Sequence, residues 1–347
     1  MIPTERVPEI LTRARGHVAP ALRAAIAVLS PELRPVAEYH LGWRDERGAL
    51  VGGDGGKGVR PALSVLSAEA VGAEASVGVP GAVAVELVHN FSLIHDDVID
   101  EDVERRHRPT VWALYGIGPA VIAGDALLAL AQQVVVDPAK VLGRGRPSPD
   151  AGSAVSRVAD ATAAMIAGQA LDMAFERRDD VGVASCLAME AGKTGALLGC
   201  AASIGAVLAG ADEPVVEALD RFGVELGLSF QAVDDLLGIW GDPAATGKPA
   251  WSDLRQHKKS LPVAAALASG GAAVAELSSL LFSEHLEERD VERAAALVEE
   301  CGGRDFATSE AAAHLATALA AVEGLALREE SVAELVELAH FVVERQF

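Results

Sequence analysis

Residues 89–110 read His-Asn-Phe-Ser-Leu-Ile-His-Asp-Asp-Val-Ile-Asp-Glu-Asp-Val-Glu-Arg-Arg-His-Arg-Pro-Thr. A mostly apolar run from Gly81 closes here on Asp96, Asp97 and Asp100, and on a helix residues 96 and 100 project from one face. Like charges so placed repel. The usual preference for acids at helix N-termini does not explain acids at a C-terminal end. A divalent cation between them does: carboxylate oxygens suit Mg²⁺, which takes few protein ligands and fills its other positions with water or phosphate oxygen. Arg105 and Arg106 follow closely, guanidinium forks of the kind that grip phosphate. Carboxylates, the implied metal and the arginines together describe a diphosphate site. His89 lies seven residues before Asp96, two turns below it on roughly the same face, and is a plausible donor there. His95 lacks that alignment and is read as structural.

Working outward, alanine, leucine, valine and glutamate dominate, aromatics are 4% and alternating β-branched runs are scarce, so helix is expected almost throughout. Helical stretches fall near residues 5–28, 32–44, 58–73, 79–100, 119–135, 152–178, 182–209, 212–240, 260–281, 288–301, 304–324 and 329–345. Between them lie short breaks rich in Gly, Pro and Asp. The longest, residues 137–151, reads as a surface loop, because the same helical pattern resumes after it. No repeat of solenoid length is visible. The expectation is one all-α domain, residues 1–347, built as a helical bundle around a central cavity.

Half the chain is apolar and its formal charge is −21, which allows a sizeable core and leaves no broad basic surface for nucleic acid. Cys186, Cys200 and Cys301 are odd in number and widely spaced, suiting reduced core thiols in a cytoplasm rather than a disulfide framework. The N-terminus lacks a basic start and apolar run, so no export is expected. Asp125 and Gln132-Gln133 interrupt the apolar region from Trp112 to Val136, which argues against stable membrane insertion.

Three further stretches carry chemistry. Gly55-Gly56-Lys57-Gly58-Val59-Arg60-Pro61 sets flexible glycines beside two cations near a helix start, where an anion can be held, although such loops are common. Gly168-Gln169-Ala170-Leu171-Asp172 precedes Lys193-Thr194 in an alanine-rich helix. A buried lysine there must meet an anion, either an internal carboxylate or a substrate phosphate. Finally, Gln231-Ala232-Val233-Asp234-Asp235 closes another apolar helix, with Lys248 and Lys258 beyond it. Acids followed by cations repeat the logic of the first cluster, and two such clusters in one bundle can clamp metals on one diphosphate.

From about residue 52 to 265 the chain closely resembles the trans-polyprenyl diphosphate synthases, the farnesyl and geranylgeranyl diphosphate synthase family, whose bundle is of the isoprenoid synthase type. The resemblance rests on Asp-Asp-x-x-Asp with Arg-Arg downstream, Gln-x-x-Asp-Asp, and lysines fourteen and twenty-four residues beyond Asp234, in that order. Gly238 stands where many members have a third aspartate. The resemblance implies a Mg²⁺-dependent prenyltransferase that condenses isopentenyl diphosphate with an allylic diphosphate. Asp96, Asp100 and Asp234 would hold Mg²⁺, with Asp97 and Asp235 supporting. Arg105, Lys193, Gln231, Lys248 and Lys258 would contact the allylic diphosphate or its metals, and Thr194 would lie near the reacting centre. Lys57, Arg60, His89 and Arg106 would hold isopentenyl diphosphate. No side-chain base is implied, because in the family the departing diphosphate takes the proton. Ser92, one turn below Asp96, is too small to close the pocket early, and Phe91, five residues before Asp96, is associated in the family with a twenty-carbon limit, so geranylgeranyl diphosphate is the expected product. Family habit adds a homodimer. The rival readings are a class I terpene cyclase, which needs no second diphosphate site at Lys57, Arg60 and His89, and a non-catalytic or packaged partner subunit.

Overall fold

The computed structural model describes residues 7–53, 56, 58–143, 150–175, 178, 180–243, 249–283 and 287–343. They are helical almost throughout. Cα packing groups the chain into two units, each drawn from distant parts of the sequence.

The first unit takes Met1–Thr162, Cys200–Asp220 and Gly324–Leu338. Helix α1 (Glu9–Ala27) buries Ile10, Ala14, Val18, Ala21, Leu22 and Ala25, a stripe at three- and four-residue spacing. After α2 (Arg34–His40) come α3 (Val59–Ala70) and the site-bearing α4 (Ala75–Ile99). Helix α4 is apolar nearly all round because α1, α3 and α6 (Ile117–Val136) pack on it. Its small residues serve close approach: a Cβ at Gly78 would overlap the Ser64 carbonyl of α3. Gly205, on α10 (Ala196–Leu208), abuts that same carbonyl. His95 points from α4 onto α6, seated over Gly124, with Nε2 3.0 Å from the Val121 carbonyl, in keeping with its structural reading.

Beyond α4 the chain does something composition did not foretell. Strands β1 (Glu104–Arg105) and β2 (Arg108–Pro109) pair antiparallel. Arg106 and His107 form the turn at φ +54° and +59°, the left-handed pair that a tight two-residue hairpin requires. Two-residue strands are too short to leave a periodic signature. Helices α5 (Val111–Tyr115) and α7 (Pro138–Leu142) are also short, and α7 occupies part of the expected 137–151 loop; residues 144–149 lie outside the described set.

The second unit takes Ala163–Gly199, Arg221–Glu323 and Ala339–Phe347. The predicted helix 182–209 is α9 (Val183–Glu190), a π-helical turn at Ala191–Gly195, and α10. The turn packs backbone to backbone on α8 (Ala151–Phe175): a Cβ at Gly168 would overlap the Lys193 amide. Helix α11 (Glu213–Trp240) carries the second acidic pair, and α12 (Ser252–Arg255) follows. The predicted helix 260–281 divides into α13 (Leu261–Ala268) and α14 (Ala272–Leu281) because Gly270 and Gly271 adopt φ +78° and +101°. Helices α15 (Glu288–Glu300), α16 (Gly303–Val322) and α17 (Glu329–Val343) complete the order. Phe175, Cys186, Met189, Val233, Leu236 and Leu261 form one core cluster, so Cys186 is the core filler expected of it. All three cysteines are free thiols.

Candidate active site

The last turn of α4 sorts its three aspartates by environment. Asp97 is buried and Asp96 half-buried, while Asp100 is exposed at the C-cap, its amide 2.8 Å from the Asp96 carbonyl. The hairpin returns Arg105 to this turn, where Nε donates to Asp97 Oδ1 at 2.6 Å. The other oxygen, Asp97 Oδ2, is buried and accepts no hydrogen bond from the described residues. Burial raises the Asp97 carboxyl, and the nearby Arg105 charge only partly opposes this. Asp97 is therefore the internal anchor of the turn. Asp96 and Asp100 stand on the accessible side, as their spacing requires.

Two turns down α4 lies a basic cluster. Arg60 Nη1 is 3.4 Å from His89 Nε2, while Arg60 Nε is buried without a partner among the described residues. Arg106 reaches toward Gly56, where an added Cβ would sit 3.4 Å from its Nη2, and Arg15 donates to the Gly56 carbonyl at 3.4 Å. Gly56 of the glycine-rich stretch thus lies beside the hairpin turn. Arg60, His89 and Arg106 are brought together as the sequence reading expected; Lys57 lies outside the described residues.

Burial, reinforced by the neighbouring arginines, holds His40 down at about 3 and His89 well below the usual imidazole range. Both rings are neutral. Burial raises the Glu86 carboxyl against the pull of Arg60. Asn90 Nδ2 donates to Glu86 Oε1 at 3.1 Å. Sequence reasoning missed His40, Glu86 and Asn90. Glu86, three residues before His89 on the same helix, left the one local signal.

Next to this cluster, Ser92 Oγ donates to the His89 carbonyl at 2.9 Å. Phe91 is buried, edge-on to His95 at 4.8 Å between ring centroids.

In the second unit the acids and lysines form a connected chain. Thr194 Oγ1 donates to Gln231 Oε1 at 3.1 Å, and Gln231 Nε2 donates to Asp235 Oδ1 at 3.1 Å. Asp235 also accepts from Lys258 Nζ at 2.8 Å and from the Leu261 amide at 2.9 Å. Burial alone would raise this carboxyl, but Lys258 and the other donors outweigh it and keep it ionised. Lys258 is in turn held charged by Asp235 and Asp253 against the effect of burial. Asp235 accepts three hydrogen bonds from protein donors, while Asp234, on the neighbouring half-buried position, belongs to a different face.

Glu190, buried beside Asp235, is pushed well above the carboxylate range by burial and then by that neighbour's charge, so it stays protonated. Nothing in its surroundings in sequence marked it. Lys193 pairs with Asp172, the internal carboxylate that the sequence left open as its partner. Lys248 lies outside the described residues.

Mg²⁺ fits the donor set of α4. Among the described residues no three His, Cys, Asp or Glu side chains are grouped to hold a metal by themselves. Asp96 and Asp100 offer only carboxylate oxygens, which suits a cation that takes its remaining ligands from phosphate and water.

Three comparisons bear on this geometry. The family described as Polyprenyl synthetase matches residues 49–298. The chain is 47% identical to the (2E,6E)-farnesyl diphosphate synthase of Mycobacterium tuberculosis, over 99% of this chain and 94% of that protein. It is 40% identical to the geranylgeranyl diphosphate synthase of the same organism, over 99% and 96%. Among solved structures, the polyprenyl synthetase of Streptomyces coelicolor A3(2) superposes with a TM-score of 0.89 at 52% identity, covering 96% of this chain and 98% of that one.

Proposed function

The chain belongs to the polyprenyl synthetase family and is a prenyltransferase of chain elongation, and from that premise we propose that it condenses isopentenyl diphosphate with an allylic diphosphate, ending at geranylgeranyl diphosphate. The observation that carries the two-substrate reading is the grouping of Arg60, His89 and Arg106 two turns below the acidic end of the same helix. One diphosphate belongs at the acids and a second at this basic cluster. A cyclase, with one diphosphate substrate, has no use for the second.

In this reading Asp96, Asp100 and Asp234 would be the Mg²⁺ ligands, and the metal would supply positive charge to a diphosphate leaving group. Lys258 keeps its proton because Asp235 and Asp253 flank it, and so presents a fixed positive charge where negative charge develops. Arg105, braced by Asp97, Lys193 and Lys248 serve the same diphosphate. The linked Thr194 and Gln231 hold the region beside Asp235 in one geometry. Lys57, Arg60, His89 and Arg106 fix isopentenyl diphosphate through charge-assisted hydrogen bonds. His89 is neutral, so it can donate one hydrogen bond without adding charge. The released diphosphate accepts the proton after the new carbon–carbon bond forms.

The product assignment draws on the small Ser92 and the buried Phe91 on α4. Farnesyl diphosphate is the second reading, favoured by the name of the 47% identical relative. A cytoplasmic homodimer completes the proposal. The deciding experiment incubates the purified protein with Mg²⁺, isopentenyl diphosphate and dimethylallyl, geranyl or farnesyl diphosphate in turn, and identifies the products. Geranylgeranyl diphosphate from all three starters is expected. Accumulation of the farnesyl product alone would establish the second reading, and no condensation with any starter would overturn both. Asp96→Ala should remove most of the turnover; near-normal Mg²⁺-dependent activity would refute its ligand role.

A further inference from the structure

The two acidic clusters of this chain are not equivalent. The first has acids at positions i, i+1 and i+4, namely Asp96, Asp97 and Asp100; the second has Asp234 and Asp235, and Gly238 at i+4. On α11 the position of Gly238 is buried, and a Cβ built there would overlap all three terminal atoms of the Asp253 carboxyl group. Space that a side chain at i+4 would fill is taken by a carboxylate from α12. This carboxylate is 5% exposed as a residue, a position an ionised group holds only with partners. Lys258 Nζ lies 3.5 Å from Asp253 Oδ2 and 2.8 Å from Asp235 Oδ1. Ser252 Oγ, 3.2 Å from both the Gly238 carbonyl and Asp253 Oδ1, joins α12 to this turn of α11.

We propose that Asp253 supplies, from another helix, the third carboxylate that Gly238 omits, acting as a positioning residue that holds the Lys258 ammonium at the second acidic cluster. Gly238 is then a fitted partner of Asp253, and neither position can change alone. Asp253 acts on the bound diphosphate and its metal through Lys258, one step removed, as outer partners of metal sites do. This inference rests on the proposed Mg²⁺-diphosphate site.

The test is an exchange of the two residues, read by thermal unfolding. The full-length wild type, Asp253→Asn, Gly238→Asp and the double variant Gly238→Asp/Asp253→Gly are melted with and without inorganic pyrophosphate across a Mg²⁺ series. Asp253→Asn keeps the shape and removes the charge; it should raise the Mg²⁺ concentration giving half the pyrophosphate-dependent Tm shift by about tenfold or more. Gly238→Asp should lower the ligand-free Tm, and the double variant should recover both the Tm and the Mg²⁺ midpoint. An unchanged midpoint in Asp253→Asn would overturn the inference while the wild type still responds, as would a wild-type Tm in Gly238→Asp. A wild type that shows no Mg²⁺-pyrophosphate shift would instead sink the underlying site. Should the double variant fail to fold, Asp253→Asn alone decides.

Discussion

Burial strips Arg60 of solvent while its Nε finds no acceptor among the described residues, a condition that is costly for a guanidinium unless an anion completes it. Arg60→Ala should therefore raise the apparent KM for isopentenyl diphosphate by about 10–100-fold, the value of a charged hydrogen-bonding group, with a smaller change for the allylic partner. Equal changes for both would contradict the division of sites. The neutral histidines beside it make stability depend on pH. His40 titrates at about 3 when folded and His89 well below its usual value, whereas both protonate near 6.5 in the unfolded chain. Below 6.5 the unfolded chain binds more protons, so this contribution is complete above 6.5 and is lost as pH falls toward the folded values. The slope is at most about 1.4 kcal/mol per pH unit for each ring. Urea unfolding at pH 7.5, 6.0 and 5.0 should show the decline, and His40→Gln should flatten it; identical slopes in the two proteins would remove His40 from the account.

At the scale of elements, close approach rather than propensity sets where helices can lie. Gly205→Ala puts a methyl group into the Ser64 carbonyl and Ser67 Oγ, and should cost about 1–3 kcal/mol as overpacking. Gly16→Ala, within α1 with no atom near its added Cβ, should instead stabilise by about 0.5–1 kcal/mol. Chemical denaturation of the two variants checks both signs. The same distinction separates what was legible in the sequence from what was not. Helices such as α1 announce themselves by the spacing of Ile10, Ala14, Val18 and Ala21. The Asp96 and Asp100 face follows from a four-residue interval, a local rule. The environment of His89 is non-local: His40 comes from another helix, and Glu86 gains its meaning only beside Arg60. Likewise nothing in the order of residues places Asp253 against Gly238, fifteen positions apart with a helix end between them. The break at Gly270-Gly271 was visible as composition, but alanines on both sides masked it.

For the molecule as a whole, the outer surface poses one question. Among the described residues three stretches, Ala75–Ile99, Ile117–Val136 and Val183–Leu208, are long and apolar enough to cross a membrane by length and composition, and 72%, 44% and 72% of their apolar windows are buried within the protein. Burial accounts for the first and third. Helix α6, the second, leaves Ile117, Val121 and Ile122 exposed. The Asp125 carboxylate, 65% exposed, lies one turn beyond Val121 and would cost about 3 kcal/mol at the centre of a bilayer. A protein surface can solvate that carboxylate at its rim, so under the homodimer proposal a second copy of the chain is the expected occupant of this face. Each chain carries a formal charge of −21, so two copies repel and added salt should tighten the pair by screening. Light scattering should give twice the 35.8 kDa chain mass, with dissociation at low salt and high dilution. Ile122→Glu should yield a folded monomer with unchanged helical circular dichroism. A wild type that remains monomeric at every salt concentration, or one that floats with anionic and neutral liposomes alike, would take α6 out of any contact between copies.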